Sequence, residues 1–298
     1  MNCTVLHITK LKNIFFVLLF ILPSLMFAQE SETVVKRAYR FIYSQELFFN
    51  TKTEDAIALT KIFTEKIKKQ KRIEDEVEIV ICKNDEELIE ASKTNFDFVL
   101  STSVSLVKLL KKGNVKPVLV NQTQGSYGYV YYLITRKDKN FNQLSDLQNC
   151  KVNILARTDG QTPSLWLDKI LRDNRLETKK DFFSEIIIDY KPTNILIPVF
   201  FNKVDAAVIT KESFNVMCEL NPNMQKELNI LAVSKTLLFG VLSFDKRNKD
   251  KEREQFIYDI LVTMHNDTDG KQFLNLFSLD KIIPYKEEYF TKFMELYK

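Results

Sequence analysis

The chain has 298 residues, 45% of them hydrophobic, which suffices for one large core or two smaller ones. Its formal net charge is +4, or +2 without the first 28 residues, and its only dense basic run, 66–72, ends a predicted helix, so the concentrated basic face of a nucleic-acid binder is missing. Beyond residue 28 there remain Cys82, Cys150, Cys218 and a single histidine, His265, which supply neither a disulfide framework, nor metal-ligand spacing, nor a nucleophile–base pair. No metal and no cofactor is therefore expected, and enzymatic chemistry is disfavoured.

The N-terminus reads as an export signal. Lys10 and Lys12 precede an apolar run at 14–22, Pro23 breaks it, and Ala28 stands before Gln29. That is the layout of a signal peptide over 1–28, which predicts a periplasmic protein. An uncleaved N-terminal anchor is the alternative, although the apolar run is short for a membrane span. From there the pattern alternates. A β run at 39–43 is followed by a helix at 53–69, with Leu59, Phe63 and Ile67 on one face. Strands at 77–81, 96–100 and 117–120 alternate with helices at 85–93 and 104–110. A polar break at 121–125 precedes a long aromatic β run at 127–136. The alternation then restarts: strand 151–156, helix 164–173, strand 185–190, helix 193–202, and strands 205–209 and 229–233. A second polar spot at 234–236 leads to a strand at 238–244, and the remaining third reads as helical, closing with a helix at 287–297.

Alternating strands and helices specify an α/β fold. The two breaks divide it into two lobes, each a mainly parallel sheet flanked by helices. Residues 37–124 and 236–298 form a discontinuous first lobe, and 125–235 form the second. The two crossings, at 121–125 and 234–236, are the predicted hinge of a Venus-flytrap architecture.

Ligands of open α/β sheets bind beyond the carboxyl ends of the strands. The third strand ends in Ser101, Thr102 and Ser103 before a helix. The second lobe's first strand ends in Arg157, Thr158, Asp159 and Gly160, followed by Thr162 and Ser164 at a helix start, and a later strand ends in Thr210. Hydroxyls, a guanidinium and helix N-termini together suit a small oxyanion. Tyr43 and Tyr127 are candidate walls of that site. The same Ser and Thr residues also fit the plainer role of helix N-caps, and Trp166 fits a core helix face better than a ligand wall.

Several stretches then resemble one family. These are Phe96-Asp-Phe-Val-Leu-Ser-Thr-Ser103, Asn142-Gln-Leu-Ser-Asp-Leu-Gln-Asn-Cys-Lys-Val152, Val204-Asp-Ala-Ala-Val208 and Ile283-Pro-Tyr-Lys-Glu-Glu-Tyr289. In order and spacing they resemble the periplasmic substrate-binding proteins of phosphonate, phosphite and phosphate ABC transporters, which have the type 2 periplasmic binding protein fold. The resemblance implies that Ser101–Ser103 and 158–164 are ligand-contacting turns. It also implies that a monomer captures a small solute and delivers it to a membrane permease. One departure is Gln161-Thr-Pro-Ser164, which has no glycine where the family often reads Ser-x-Ser-Gly. The same fold acting as a periplasmic sensor on a membrane receptor kinase is the alternative function.

Overall fold

The computed structural model describes residues 38–48, 53–72, 74–156 and 161–298. The signal peptide expected at 1–28 lies outside the described residues.

The β-branched and aromatic runs form strands. β1 (Tyr39–Ser44), β2 (Val77–Cys82), β3 (Phe98–Thr102) and β4 (Val115–Gln122) alternate with α1 (Thr53–Lys71), α2 (Asp85–Ala91) and α3 (Ser103–Lys112). Side chains set the helix starts. Asn84 Oδ1 accepts from the Glu87 amide at 2.9 Å, satisfying one of the donors that a helix N-terminus leaves unpaired. The chain then crosses through β5 (Gly128–Tyr129) into β6 (Tyr131–Arg136), β7 (Lys151–Leu155), α4 (Thr162–Asp173) and α5 (Lys179–Phe182). It continues through β8 (Glu185–Asp189), α6 (Pro192–Phe200), β9 (Ala206–Thr210), α7 (Lys211–Leu220), α8 (Pro222–Glu227) and β10 (Leu228–Val233). It returns through β11 (Leu237–Leu238) to β12 (Gly240–Asp245), α9 (Lys251–Thr263), α10 (Thr268–Leu276), β13 (Lys281–Pro284) and α11 (Glu287–Met294).

Two larger sheets result. The first has the order β13-β4-β12-β3-β1-β2 and the second β10-β6-β9-β7-β8. Without the edge strand β13 the two orders correspond strand for strand, with β12 and β6 as the inserted members. Both inserted strands run antiparallel to both neighbours, whereas β1 with β2 and β3, and β7 with β8 and β9, are parallel. Most strands of each sheet thus share one direction, as predicted, while β12, β6 and the edge strand β13 oppose it and make the pairing mixed. The crossings give the reason for the inserted pair. Gly240, the first residue of β12, pairs with Thr102 at the end of β3, and Tyr131, the first of β6, pairs with Thr210 at the end of β9. A strand that begins beside the carboxyl ends of its neighbours has to run against them.

The crossing segments themselves pair as an antiparallel ribbon, Tyr129 with Leu237 and Gly128 with Leu238. The predicted breaks flank this ribbon. Asn121 and Gln122 finish β4, and 234–236 lead into β11. A strand at Lys281–Pro284 also interrupts the C-terminal third that reads as helical, pairing antiparallel with β4.

The outer face of the first sheet is aromatic. Phe41 stacks on Phe98 at 4.4 Å between ring centres, and Phe63 of α1 stacks on Phe273 of α10 at 4.2 Å. A separate apolar cluster fixes α6 and α7 to the second sheet through Ile134, Leu155, Ile195, Val199 and Phe214. The principal core contains side chains from both sheets, among them Ile42, Tyr131 and Val152, together with Trp166 of α4 and Phe293 of α11. The C-terminal turn joins it: Arg172 Nη2 of α4 donates to the Leu296 carbonyl at 3.1 Å, and Lys235 pairs with Glu295 at 2.9 Å.

Candidate functional site

The turn from β3 to α3 places Ser101, Thr102 and Ser103 together, and all three are buried. Their hydroxyls do different things. Thr102 caps α3: its Oγ1 accepts from the Ser105 amide at 3.2 Å and donates toward Ser105 Oγ at 3.0 Å. The Ser105 hydroxyl in turn donates to Asp85 Oδ1 at 2.5 Å, and Glu46 Oε2 lies 3.4 Å from Thr102 Oγ1. Ser103 is tied to the crossing, its Oγ donating to the carbonyls of Leu238 at 2.7 Å and Phe239 at 3.0 Å. Ser101 Oγ has no hydrogen-bond partner among the described residues. Buried hydroxyls are ordinarily paired, so Ser101 is the member of the trio left with a donor to offer.

The turn from β9 to α7 repeats the design. Thr210 Oγ1 accepts from the Ser213 amide at 3.2 Å and donates toward Ser213 Oγ at 2.9 Å. The first amide of each helix is bound to a crossing segment: Ser103 N donates to the Phe239 carbonyl at 2.7 Å, and Lys211 N to the Val130 carbonyl at 2.8 Å. The two strand-end helices are thus anchored to the same ribbon, one from each sheet.

In α4, Thr162 is buried at the first turn and Pro163 follows it, as expected of a helix start. Ser164 Oγ accepts from Lys179 Nζ, and that ammonium also pairs with Asp168 at 2.9 Å. Arg157, Thr158 and Gly160, the expected core of the second-lobe turn, lie outside the described residues. Tyr127 stacks on Tyr289 at 3.8 Å between ring centres, so it joins the crossing to α11. The Tyr43 ring is 6% exposed and packs against Phe48 and Phe98, and burial pushes its phenol well above the ordinary tyrosine range.

Reading by residue type overlooks the carboxylates around these turns. Glu46 and Asp85 border the start of α3. Glu212, at the second position of α7, has a buried Oε2 without a partner among the described residues. Asp85 is also paired with Lys108, whose ammonium it stabilises by hydrogen bonding, raising the lysine's proton affinity. Acids in a first helical turn are common stabilisers of the helix dipole, and that is why their position carries no signal of its own.

The sequence model for the family described as "ABC transporter, phosphonate, periplasmic substrate-binding protein" matches residues 51–290. The chain belongs to that family. Its members are periplasmic substrate-binding components of transporters, not enzymes; they carry small-molecule ligands and work with ABC transporter permeases. No curated protein matches the sequence. Among solved structures, XAC2383 from Xanthomonas citri bound to ATP is similar with a TM-score of 0.65 at 13% identity, covering 87% of this chain and 95% of that one. PhnD1 from Prochlorococcus marinus (MIT 9301) in complex with methylphosphonate gives a TM-score of 0.58 at 13% identity over 88% and 97% of the two chains. The aliphatic sulphonate binding protein SsuA from Escherichia coli gives 0.52 at 14% identity over 85% and 88%. At such identities the likeness shows the shared type 2 periplasmic binding protein fold. Among the described residues no helix is long and apolar enough to cross a membrane, and no cluster of His, Cys, Asp or Glu could hold a metal ion.

Proposed function

We propose that this protein captures a small oxyanion, of the phosphonate, phosphite or phosphate class, between two lobes and delivers it to the permease of an ABC transporter. The observation that carries this reading is the matched pair of strand-end turns. Each has a Thr-capped helix whose first amide is bound to the crossing ribbon, so closure about the ribbon would bring both helix starts onto one solute. Ser101, with its unpartnered buried hydroxyl, supplies a donor from the first lobe. Thr162 and the turn carrying Arg157, Thr158 and Gly160 supply the second. The protein acts as a monomer, exported by a signal peptide at 1–28, with 37–124 plus 236–298 and 125–235 as its lobes.

The carboxylates refine the ligand. Asp85 is offset by its pairing with Lys108, but Glu46 puts negative charge beside the start of α3, which opposes a dianion more than a monoanion or a zwitterion. The reading therefore favours methylphosphonate, phosphite monoanion or an aminoalkylphosphonate over phosphate dianion. Calorimetric titration of the protein with phosphate, phosphite, methylphosphonate, 2-aminoethylphosphonate and methanesulfonate tests it. Saturable binding of a phosphonate or phosphite is expected, weakened by about 2 kcal/mol or more in Ser101→Ala/Thr162→Ala, because hydrogen bonds to charged groups contribute about 1.5–3 kcal/mol each. Unchanged affinity in the double variant sinks the site assignment. Binding of none of the phosphorus oxyanions sinks the ligand class.

A further inference from the structure

The direction of the hydroxyl protons around the start of α3 follows from one fixed point. Asp85 is an ionised carboxylate in its pair with Lys108, so it can only accept. Ser105 Oγ lies 2.5 Å from Asp85 Oδ1 and donates its single proton there. Thr102 Oγ1, 3.0 Å from Ser105 Oγ, therefore donates to Ser105 while accepting from the Ser105 amide. Ser103 Oγ gives its proton to the carbonyls that close the crossing, at Leu238 and Phe239. Three hydroxyls of this turn thus have their protons committed inside the protein. All three are sealed, with Thr102 and Ser103 at 0% exposure and Ser105 at 1%.

Glu46 differs from them in being half-buried, so it has surface to meet a solute. Its Oε2 lies 3.4 Å from Thr102 Oγ1, beyond the roughly 2.5–3.0 Å of an O–H···O bond, and the Thr102 proton points to Ser105. A carboxylate has about four lone-pair sites and can accept at more than one place. The charged groups that face this corner are Lys108 of α3 and Asp85 and Glu86 of α2, and the Lys108 ammonium is stabilised by those two acids and by Glu46. One ammonium therefore stands against three carboxylates. An unprotonated oxyanion oxygen set against Glu46 would meet like charge at close range. A protonated oxygen would instead donate a charge-assisted hydrogen bond, among the strongest a protein makes.

We propose that Glu46 accepts a hydrogen bond from a protonated oxygen of the bound oxyanion, so that the site selects a monoprotonated phosphorus oxyanion and rejects sulfonates. This inference rests on the oxyanion reading and adds to it the group that tells two tetrahedral anions of one shape apart. Calorimetric titration with methylphosphonate and methanesulfonate tests it, because between about pH 6 and about pH 9 methylphosphonate loses its last acidic proton and methanesulfonate has none to lose. The parent protein should bind methylphosphonate about tenfold or more tightly at the lower pH than at the higher, and tighter than methanesulfonate by a similar factor at the lower pH, as expected for one hydrogen bond to a charged group. Methanesulfonate affinity should stay flat over the same interval, and a parallel fall would mean that the protein titrates rather than the ligand, which overturns the proposal. Glu46→Gln places an amide donor where the acceptor stood. It should flatten the methylphosphonate pH dependence to less than about threefold and strengthen methanesulfonate binding about fivefold or more, a gain that a damaged fold cannot produce. Equal affinity of the parent for the two probes, or selectivity unchanged in Glu46→Gln, overturns the proposal. So does a Glu46→Gln variant that weakens 2-aminoethylphosphonate alone, since Glu46 would then hold the ammonium. Methylphosphonate binding without the pH dependence removes this inference and leaves the oxyanion reading standing, whereas a parent that binds no phosphorus oxyanion at either pH removes both.

Discussion

Single residues show how burial decides chemistry here. Cys82, at the end of β2, is 2% exposed, and burial, with help from Glu87, pushes its thiol from 9.0 up to about 11. Because the folded value lies above the unfolded one, the buried thiol contributes no pH dependence below about pH 9. Above that, the unfolded chain ionises first, and stability falls as pH rises toward 11. From about pH 8 to about pH 10.5 this one group should remove about 2 kcal/mol, since a tenfold change in proton affinity corresponds to about 1.4 kcal/mol. Buried tyrosines add to the alkaline loss, so the test is a comparison. Urea unfolding of Cys82→Ala should lose about 2 kcal/mol less than the parent over that interval, and equal losses in both would show that Cys82 ionises freely in the fold. The number and spacing of the cysteines alone speak against a disulfide framework, and Cys82 and Cys218 are buried while Cys150 is half-buried. The roles of Ser101, Thr102 and Ser103 do not follow from sequence alone. In sequence they are three equivalent hydroxyls, and what separates them is the alternation of strand faces and the arrival of Phe239 from 136 residues away.

At the scale of elements, local pattern specifies what local forces determine. The strands of the first sheet and their helices follow from β-branched runs, apolar periodicity and caps. α7 escapes a reading by apolar periodicity, although Thr210-x-x-Ser213 repeats the Thr102-x-x-Ser105 cap of α3 and is a signal that marks its start. β13 is four residues long and held by pairing with β4, so no periodicity could announce it. The ribbon is likewise invisible locally, because β5 and β11 have two residues each and exist only by pairing across the crossing. Its tolerance can be ranked from its glycines. A Cβ on Gly128 would lie 1.9 Å from the Leu237 carbonyl oxygen, whereas on Gly240 it would meet the Asn121 side chain at 2.3 Å. Backbone cannot step aside as a side-chain amide can. Gly128→Ala should therefore cost about 2–3 kcal/mol, at the upper end of overpacking penalties, and Gly240→Ala measurably less. Denaturant midpoints of the two variants decide it, and the reverse order would mean that the ribbon has slack the register does not suggest.

For the whole molecule, the question is how two sheets joined by two crossings remain one folding unit. The fold makes two crossings, and a hinge of two short strands alone would leave each half free to unfold by itself. The core argues otherwise, since Ile42 and Val99 of the first sheet belong to the same buried cluster as Tyr131 and Val152 of the second and Trp166 of α4. The C-terminal turn adds a third tie, from Leu296 to Arg172 of α4 and from Glu295 to Lys235. Phe293 sits in that segment at 0% exposure, between Phe290 at 6.3 Å and Tyr297 at 6.1 Å. Calorimetry should accordingly show a single transition whose calorimetric and van't Hoff enthalpies agree. Phe293→Ala should lower stability by about 3–5 kcal/mol, the usual loss for a large aromatic removed from a core. If the segment is the tie that makes the halves cooperative, the same variant should also split or broaden the transition. A lower but still single transition would mean that Tyr131, Trp166 and their neighbours couple the sheets without it. Two transitions in the parent protein would mean that the shared core is too thin to couple them at all, and that the ribbon alone holds the halves in register.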